Sequence, residues 1–586
     1  MQNSDRGAAG LLSLRLSALW RVAHVAAQSR THLVVLACSA AVAAIAFYFW
    51  FMEGCGPVEI AFATAISLAV AAAIAFVCRR VLPALALTMA MIGVVAVISS
   101  AKQQVRETIL HAYDVVAVLK SGLGLHETWH DYRDTLLGVT IAVVAAGAAT
   151  WLATLIDKAR VPRRWSACCF ILLAGLAWAA DQERGPRRHT EFYFENAYVS
   201  NFYSSWSETA RALWRGTLIE ADRPGPTSSQ ILSLLPPATC TPTAKAPHII
   251  LIHHESAVQP SLFPALDYDR SLDAFFRSAD GRFNKLRVET FGGASWLTEF
   301  SVLTGVATQS FAGMNQLAQQ VMTGGIRDSL PQTLARCGYH NVMFYPMLRH
   351  FLGAGRFFDS VGFDKIFDAK AQQAKLPNER DRFYYANALD EIGRHLQSSS
   401  QRLFLYVQTM ATHGPYDYAY SPEVAVPGGG PGTPPETGEY LRRLAMSRMD
   451  YTFLRSELTR RFPGEAFLIV RYGDHQPTAV QSLLGFGDDA SIEDIMASGN
   501  EAARVTYYAI DAVRYRPPSV PAVEKLDVAY LGAVVLESAD VPLPPSYRER
   551  KRLMMLCNGR YHDCPEQQQI LRFHRSLIDA GLIKAF

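Results

Sequence analysis

An excess of charge of either sign is what this chain most plainly lacks. Its 56 Lys and Arg residues face 53 Asp and Glu, leaving +3 over 586 residues. The strong basic footprint of a nucleic-acid partner is therefore missing. Nine cysteines are present, but no two are spaced C-x-x-C, which excludes a zinc-thiolate site of that pattern. No small-residue cleavage site follows a short apolar core at the start, so the leading segment does not read as a cleaved signal. Ionisable residues are scarce inside the long apolar runs of the first third, which disfavours a transporter.

Those apolar runs come next. Five of them, at about 32–51, 57–76, 81–99, 136–156 and 166–180, read as membrane-spanning helices. The fifth is short and carries Cys168 and Cys169. Arg6, Arg15, Arg21 and Arg30 precede the first run, Arg79 and Arg80 separate the second from the third, and Lys158, Arg160, Arg163 and Arg164 separate the fourth from the fifth. Under the positive-inside rule these segments are cytoplasmic, and an odd number of spans places everything after residue 180 outside. Residues 1–30, with Trp20, read as a cytoplasmic amphipathic segment. Residues 102–134 form a long connection in which Lys102, Arg106, His111, Tyr113 and Asp114 recur at roughly helical spacing, a solvated or interfacial helix with a lipid headgroup as a candidate contact.

From 181 to 247 the chain turns polar and aromatic. Residues 201–215 read as an amphipathic helix at the outer membrane boundary, where Trp and Tyr are favoured. A Pro/Thr/Ser-rich linker follows at 224–247. Beyond it, short apolar runs at 248–252, 341–345, 403–407 and 467–471 read as buried strands. Helical segments at 330–337, 383–398 and 440–462 alternate with them. Such alternation predicts an α/β layer fold with a mostly parallel sheet, whose ligands bind beyond the carboxyl ends of the strands.

Polar residues gather at those ends. The first run leads into His253-His254-Glu255-Ser256, the third into Thr412-His413, and the fourth into Gly473-Asp474-His475. Two carboxylates and an imidazole suit Mn²⁺, Mg²⁺ or Zn²⁺. The stretch Gly292-Gly293-Ala294-Ser295 opens an apolar helical run. A serine there is ordinarily an N-cap. Here it also stands where helix N–H groups receive a phosphate, which makes Ser295 a candidate nucleophile and a candidate oxygen ligand. Cys557 and Cys564 are close enough in sequence for a disulfide closing a short loop; Cys240 and Cys337 stay unassigned. The Gly/Pro tract at 427–438 reads as a flexible surface loop or as a lid over an acceptor.

With these residues in view, the chain resembles the alkaline phosphatase/sulfatase superfamily, in particular its membrane branch of lipoteichoic acid synthases and periplasmic phosphoglycerol transferases. The carriers of the resemblance are Glu255-Ser256 after a strand, the block at 292–305 with Ser295 where many members have threonine, Gly473-Asp474-His475, Thr412-His413, and Arg356 ahead of Gly362-Phe363-Asp364. The resemblance implies about five transmembrane helices and then an extracytoplasmic, alkaline-phosphatase-like α/β domain. It implies one divalent metal ion, Mn²⁺ or Mg²⁺ with Zn²⁺ possible, held by Glu255, Ser295, Asp474 and His475. Ser295 would attack the phosphorus of a phospholipid headgroup, with His413 and Arg356 binding phosphate oxygens or assisting proton transfer. The donor would be phosphatidylglycerol and the acceptor a cell-envelope glycan or polymer, at the membrane and without nucleic acid.

The sequence also departs from the pattern. His253 and His254 stand where members of this branch usually have other residues. Cys240-Thr241-Pro242-Thr243-Ala244 lacks the arginine of the sulfatase signature, which argues against sulfate-ester hydrolysis. The threonine block typical of phosphoethanolamine transferases is not reproduced. Phosphoethanolamine transfer or phosphodiester hydrolysis on the same fold, and a catalytically inactive polymer-binding protein, are the competing readings. The expected organisation is a cytoplasmic segment (1–30), a transmembrane domain (31–181), an interfacial helix and linker (182–247), a sulfatase-like catalytic domain (248–545) and a C-terminal extension (546–586).

Overall fold

The computed structural model describes residues 35–586 apart from 107–108, 122–124, 159, 184–196, 225–239, 241–245, 376–378, 431, 488–489, 491 and 522. The expected amphipathic segment 1–30 lies outside the described residues, as does most of the linker. The chain forms two compact units, Met1–Ser207 and Glu208–Phe586.

Among the described residues of the first unit, four helices are long and apolar enough to cross a membrane: Pro57–Cys78, Val81–Gln104, Leu137–Ile156 and Arg163–Glu183. A fifth apolar helix, Val35–Phe51, is described over a shorter length. Pro57–Cys78 packs against Arg163–Glu183 through small residues, burying Ala63, Ala65, Ala69, Ala71 and Ala75. Small side chains let helix backbones approach closely where lipid gives no hydrophobic drive between helices. Large apolar side chains such as Leu137, Val144, Ile171 and Leu172 face outward. Residues 102–134 are not one long solvated connection: the third helix runs on to Arg106, Ala112–Ser121 is helical, and the next helix begins at Leu125. Lys102 Nζ is tied to Asp114 Oδ2 at 2.7 Å and to the Ile109 carbonyl at 3.0 Å, while His111 is buried. One carbonyl and one carboxylate inside the connection satisfy that cation locally.

The second unit is built on one eight-stranded sheet. In chain order the strands are β1 (His248–His254), β2 (Asn284–Arg287), β3 (Tyr339–Phe344), β4 (Lys365–Phe367), β5 (Arg402–Thr409), β6 (Phe467–Gly473), β7 (Val505–Val513) and β8 (Lys525–Asp527). They lie side by side as β4-β3-β5-β1-β6-β7-β2-β8. Pairing is parallel from β4 through β6 and again between β2 and β8; β7 runs antiparallel to both of its neighbours. The sheet is mostly parallel, as expected. Every residue of β1 and β6 is buried, the signature of central strands covered on both faces. All four expected strands are present, as are the three expected helices, at Leu330–Arg336, Asp381–Ser398 and Pro435–Arg461.

Register decides where the polar residues fall. His254 lies level with Thr409 of β5 and with Gly473 of β6. Glu255, the Thr412-His413 turn and Asp474-His475 therefore leave three adjacent strands at one edge. A side chain at position 473 is excluded there, because a Cβ would come within 1.9 Å of the Ala257 carbonyl oxygen.

The tract at 427–438 is pinned rather than loose. Gly428 bridges to Tyr268, the Asp269 N–H donates to the Pro427 carbonyl at 2.9 Å, and a helix begins at Pro435. Residues 546–586 fold into the same compact unit as the sheet. Cys557 and Cys564 form the expected disulfide, and Cys240 and Cys337 form a second one spanning 97 residues. In the chain-entropy account, a cross-link of that span removes about 4–5 kcal/mol of unfolded-state freedom. The double variant Cys240→Ser/Cys337→Ser is expected to lower the unfolding midpoint of the second unit clearly in thermal melts. A midpoint within experimental scatter of the parent would contradict that contribution.

Candidate active site

The helix α1 (Ser295–Thr304) begins at Ser295 itself. Its N-cap position is Ala294, in the left-handed region at φ 63°, and Ala294 makes no side-chain cap. Ser295 thus enters the first turn with its Oγ free of capping duty. The hydroxyl meets Glu255 Oε2 at 2.9 Å and His475 Nε2 at 3.3 Å. On the opposing strand end, Ser256 directly follows Glu255 and is also left-handed, at φ 52°. Two non-glycine residues in this region store strain of order 1–3 kcal/mol each, a cost seen chiefly where geometry serves a function.

The strand edge completes the cluster. His475 Nε2 lies 3.1 Å from Glu255 Oε1 and 3.3 Å from Asp474 Oδ2. The other carboxylate oxygen, Asp474 Oδ1, accepts from the backbone N–H groups of Ser256 at 2.7 Å and His475 at 2.8 Å. The Thr298 hydroxyl of α1 donates to the Asp474 carbonyl at 2.8 Å, and the Thr412 hydroxyl donates to the Glu255 carbonyl. Glu255, Asp474 and His475 are all at least 98 % buried.

Burial alone would push the His475 imidazole down, but Asp474 and Glu255 outweigh it and raise its pKa to about 9. Burial would likewise raise Glu255; hydrogen bonding to His475 and the charges of His475, His413 and His253 hold it well below the usual carboxylate range. The carboxylates are thus matched to a cationic partner.

These donors fit a divalent ion. Asp474 Oδ2 is buried and accepts no well-aligned hydrogen bond, so one carboxylate oxygen points into the cluster uncommitted. Donor atoms from His253, Glu255 and Asp474 lie within 4.8 Å of one another. Donors bound to one first-row dication at about 2.1 Å stand about 3.0–3.4 Å apart, close to the spacings seen here.

The structure brings Ser295, Glu255, Asp474 and His475 together. His413 is exposed at the rim, its Nδ1 2.6 Å from the Gly414 carbonyl, and its charge is felt by Glu255. The buried Arg443 holds the turn by donating to the His413 carbonyl and, at 2.8 Å, to the Pro415 carbonyl. Arg356 is exposed on the short helix Ala354–Ser360.

Several supports were invisible as motifs. Glu289 accepts from Ser301 of α1 at 2.9 Å and from the Thr308 N–H at 3.0 Å. Arg550, from the C-terminal segment, donates to the Thr304 and Gly305 carbonyls at the other end of α1, each at 3.0 Å, and pairs with Asp328 at 2.9 Å. The helix carrying Ser295 is clamped along its length. For His253, alternation offered a signal, since it stands two residues before Glu255 and shares its face.

Burial raises the Glu289 pKa to about 7, against hydrogen bonds from Thr308 and Ser301 that lower it. Its folded value exceeds the ordinary 4.5 of a free glutamate, so its contribution to stability is complete below about pH 4.5 and is lost as pH rises through about 7. Glu289→Gln is expected to flatten the fall in melting midpoint between about pH 5 and pH 8. A variant retaining the parent's slope would contradict this assignment.

Against known proteins, residues 278–490 match the family model described as Sulfatase. The span takes in Ser295, Arg356, His413, Asp474 and His475; Glu255 precedes it. An uncharacterized protein of Haemophilus influenzae is 23% identical over 353 residues, covering 56% of this chain and 60% of that protein, so the match spans under two thirds of the relative. Among solved structures, the Streptococcus pyogenes phosphoglycerol transferase GacH aligns at 16% identity and a TM-score of 0.45, covering 64% of this chain and 91% of that one. The lipoteichoic acid synthase LtaP from Listeria monocytogenes aligns at 16% identity and 0.39, covering 53% and 77%. The periplasmic domain of EcEptC from Escherichia coli aligns at 14% identity and 0.37, covering 54% and 89%. The match to the Sulfatase model bears out the expected superfamily over residues 278–490.

Proposed function

We propose that the sulfatase-like region over residues 278–490, completed by Glu255 just after β1, is a metal-dependent phosphotransferase. In this reading it moves a phosphoglycerol headgroup from phosphatidylglycerol to a glycan or polymer of the cell envelope. The observation that carries the proposal is the setting of Ser295 Oγ. It stands at a helix N-terminus, hydrogen-bonded to Glu255 at 2.9 Å and facing His475 at 3.3 Å.

Each residue has a task. Glu255, Ser295, Asp474 and His475 would hold one divalent ion, Mn²⁺, Mg²⁺ or Zn²⁺, which when bound supplies the Lewis acidity that lowers a hydroxyl pKa. Ser295 Oγ gives up its proton and forms a bond to phosphorus, and the bond from phosphorus to the diacylglycerol oxygen breaks. That oxygen takes up a proton, and diacylglycerol leaves. The phosphoglycerol ester on Ser295 is then attacked at phosphorus by an acceptor hydroxyl, which loses its proton as Ser295 regains one. Backbone N–H groups at the start of α1 face the phosphoryl oxygens. His413 at the rim and Arg356 serve the phosphate oxygens or the moving proton.

Location follows from independent features. Two disulfides in the soluble unit suit an oxidising compartment, outside the cytoplasm. The clusters Arg79-Arg80 and Lys158–Arg164 support a cytoplasmic side for those connections and, with them, for the N-terminus. The choice of phosphoglycerol rests on the block at 292–305. Phosphoethanolamine transfer is the alternative that a donor comparison separates.

Ser295→Ala is expected to reduce diacylglycerol release from labelled phosphatidylglycerol by about a thousandfold or more while insertion into membranes continues. Turnover near the parent rate would remove Ser295 from the nucleophile's role. Elemental analysis of the purified protein should find about one divalent ion per chain, lost in Asp474→Ala. Full activity in metal-free protein would overturn the mechanism.

A further inference from the structure

His253 and His254, which close β1, have no task in the reaction above. Alternation sends their side chains to opposite faces of the sheet. His254 is fixed between two phenols, with Nδ1 2.5 Å from the Tyr507 hydroxyl and Nε2 2.8 Å from that of Tyr385. Both ring nitrogens are committed, and burial together with the charge of Arg471 keeps the ring neutral. His254 is a core residue.

His253 is placed differently. It shares its face with Glu255 and is fully buried. Nδ1 lies 3.0 Å from the Tyr406 hydroxyl, which meets the Tyr472 hydroxyl at 2.6 Å. Glu299 Oε1 stands 3.9 Å from the same nitrogen. Nε2 lies 3.0 Å from Asp474 Oδ2, yet neither atom has a well-aligned hydrogen bond. Two buried donor atoms that close, and misaligned for each other, are arranged to share a third body.

We propose that His253 Nε2 is a further ligand of the divalent ion assigned to Glu255, Ser295, Asp474 and His475. The site then presents two imidazoles rather than one. This rests on the metal-dependent reading above and adds a ligand to it. The Tyr406 hydroxyl accepts the Nδ1 proton in this arrangement, leaving the Nε2 lone pair toward Asp474, as the outer partners of metal-bound histidines commonly do. A second nitrogen donor shifts preference from Mg²⁺ toward Zn²⁺.

The test uses the full-length protein in detergent, stripped of metal and loaded with Mn²⁺ alone. Pulsed electron paramagnetic resonance counts the imidazole nitrogens coupled to the ion, and titration gives its affinity. Two coupled imidazoles are expected in the parent and in His413→Ala. One is expected in His253→Ala, with affinity lower by about 10–100-fold. One coupled imidazole in the parent overturns the proposal, whatever happens to affinity. Loss of the second imidazole in His413→Ala, rather than in His253→Ala, also overturns it, and the parent and His413→Ala counts decide even if His253→Ala fails to fold. A parent that binds no Mn²⁺ overturns the metal-dependent reading itself, whereas a bound ion with a single imidazole leaves that reading standing.

Discussion

Everything at the candidate site depends on the register of three neighbouring strands. Because β5, β1 and β6 run parallel and end level, the residues that follow them converge without any long loop having to fold back. Glu255 and Asp474-His475 meet as a consequence of backbone pairing, and the Asp474 carboxylate ties the two strand ends together through the Ser256 N–H. The close approach of Gly473 to the Ala257 carbonyl leaves no room for a side chain. One residue of slip would turn Glu255 to the other face and dissolve the cluster.

A buried group of carboxylates is unstable unless something offsets their repulsion and desolvation. Here the offset is built from the chain itself. The His475 imidazole sits between Glu255 and Asp474, whose charges raise its pKa, and two backbone N–H groups fix Asp474 Oδ1. The C-terminal half of the helix that carries Ser295 is held by Glu289 through Ser301 and by the distant Arg550 through Thr304 and Gly305. Ala294 and Ser256, both left-handed, mark where this framework holds the backbone against its own preference. Rigid positioning of one hydroxyl within hydrogen-bond reach of a carboxylate and an imidazole is what phosphoryl transfer asks of a protein, since that chemistry is mostly placement and electrostatics.

Much of this was legible in the sequence. The four central apolar runs became β1, β3, β5 and β6 because fully buried parallel strands read as uninterrupted hydrophobic stretches. The four proposed metal ligands were visible because each follows a strand or opens a helix. The strands β2, β4 and β8 were missed because they are three or four residues long and carry charged residues such as Lys285, Lys365 and Lys525. β7 was missed although its Val-Thr-Tyr-Tyr run favours extended structure. The disulfide between Cys240 and Cys337 had no local signal, since 97 residues separate the partners. Arg550 and Glu289 were likewise beyond reach, because a buried charge reveals its partner only once the chain is folded. The connection at 102–134 read as solvated because its polar residues recur at helical spacing, whereas Lys102 and Asp114 satisfy each other.

The account's central claim is that Ser295 carries the transferred group. The most direct measurement incubates the protein with phosphatidylglycerol in the absence of acceptor, quenches in acid, and weighs the peptide containing Ser295 by mass spectrometry, with phosphatidylethanolamine in a parallel arm. The account predicts a phosphoglycerol adduct on Ser295 from the first donor and none from the second. An unmodified Ser295 under conditions where diacylglycerol accumulates, or an adduct on another residue, would contradict it.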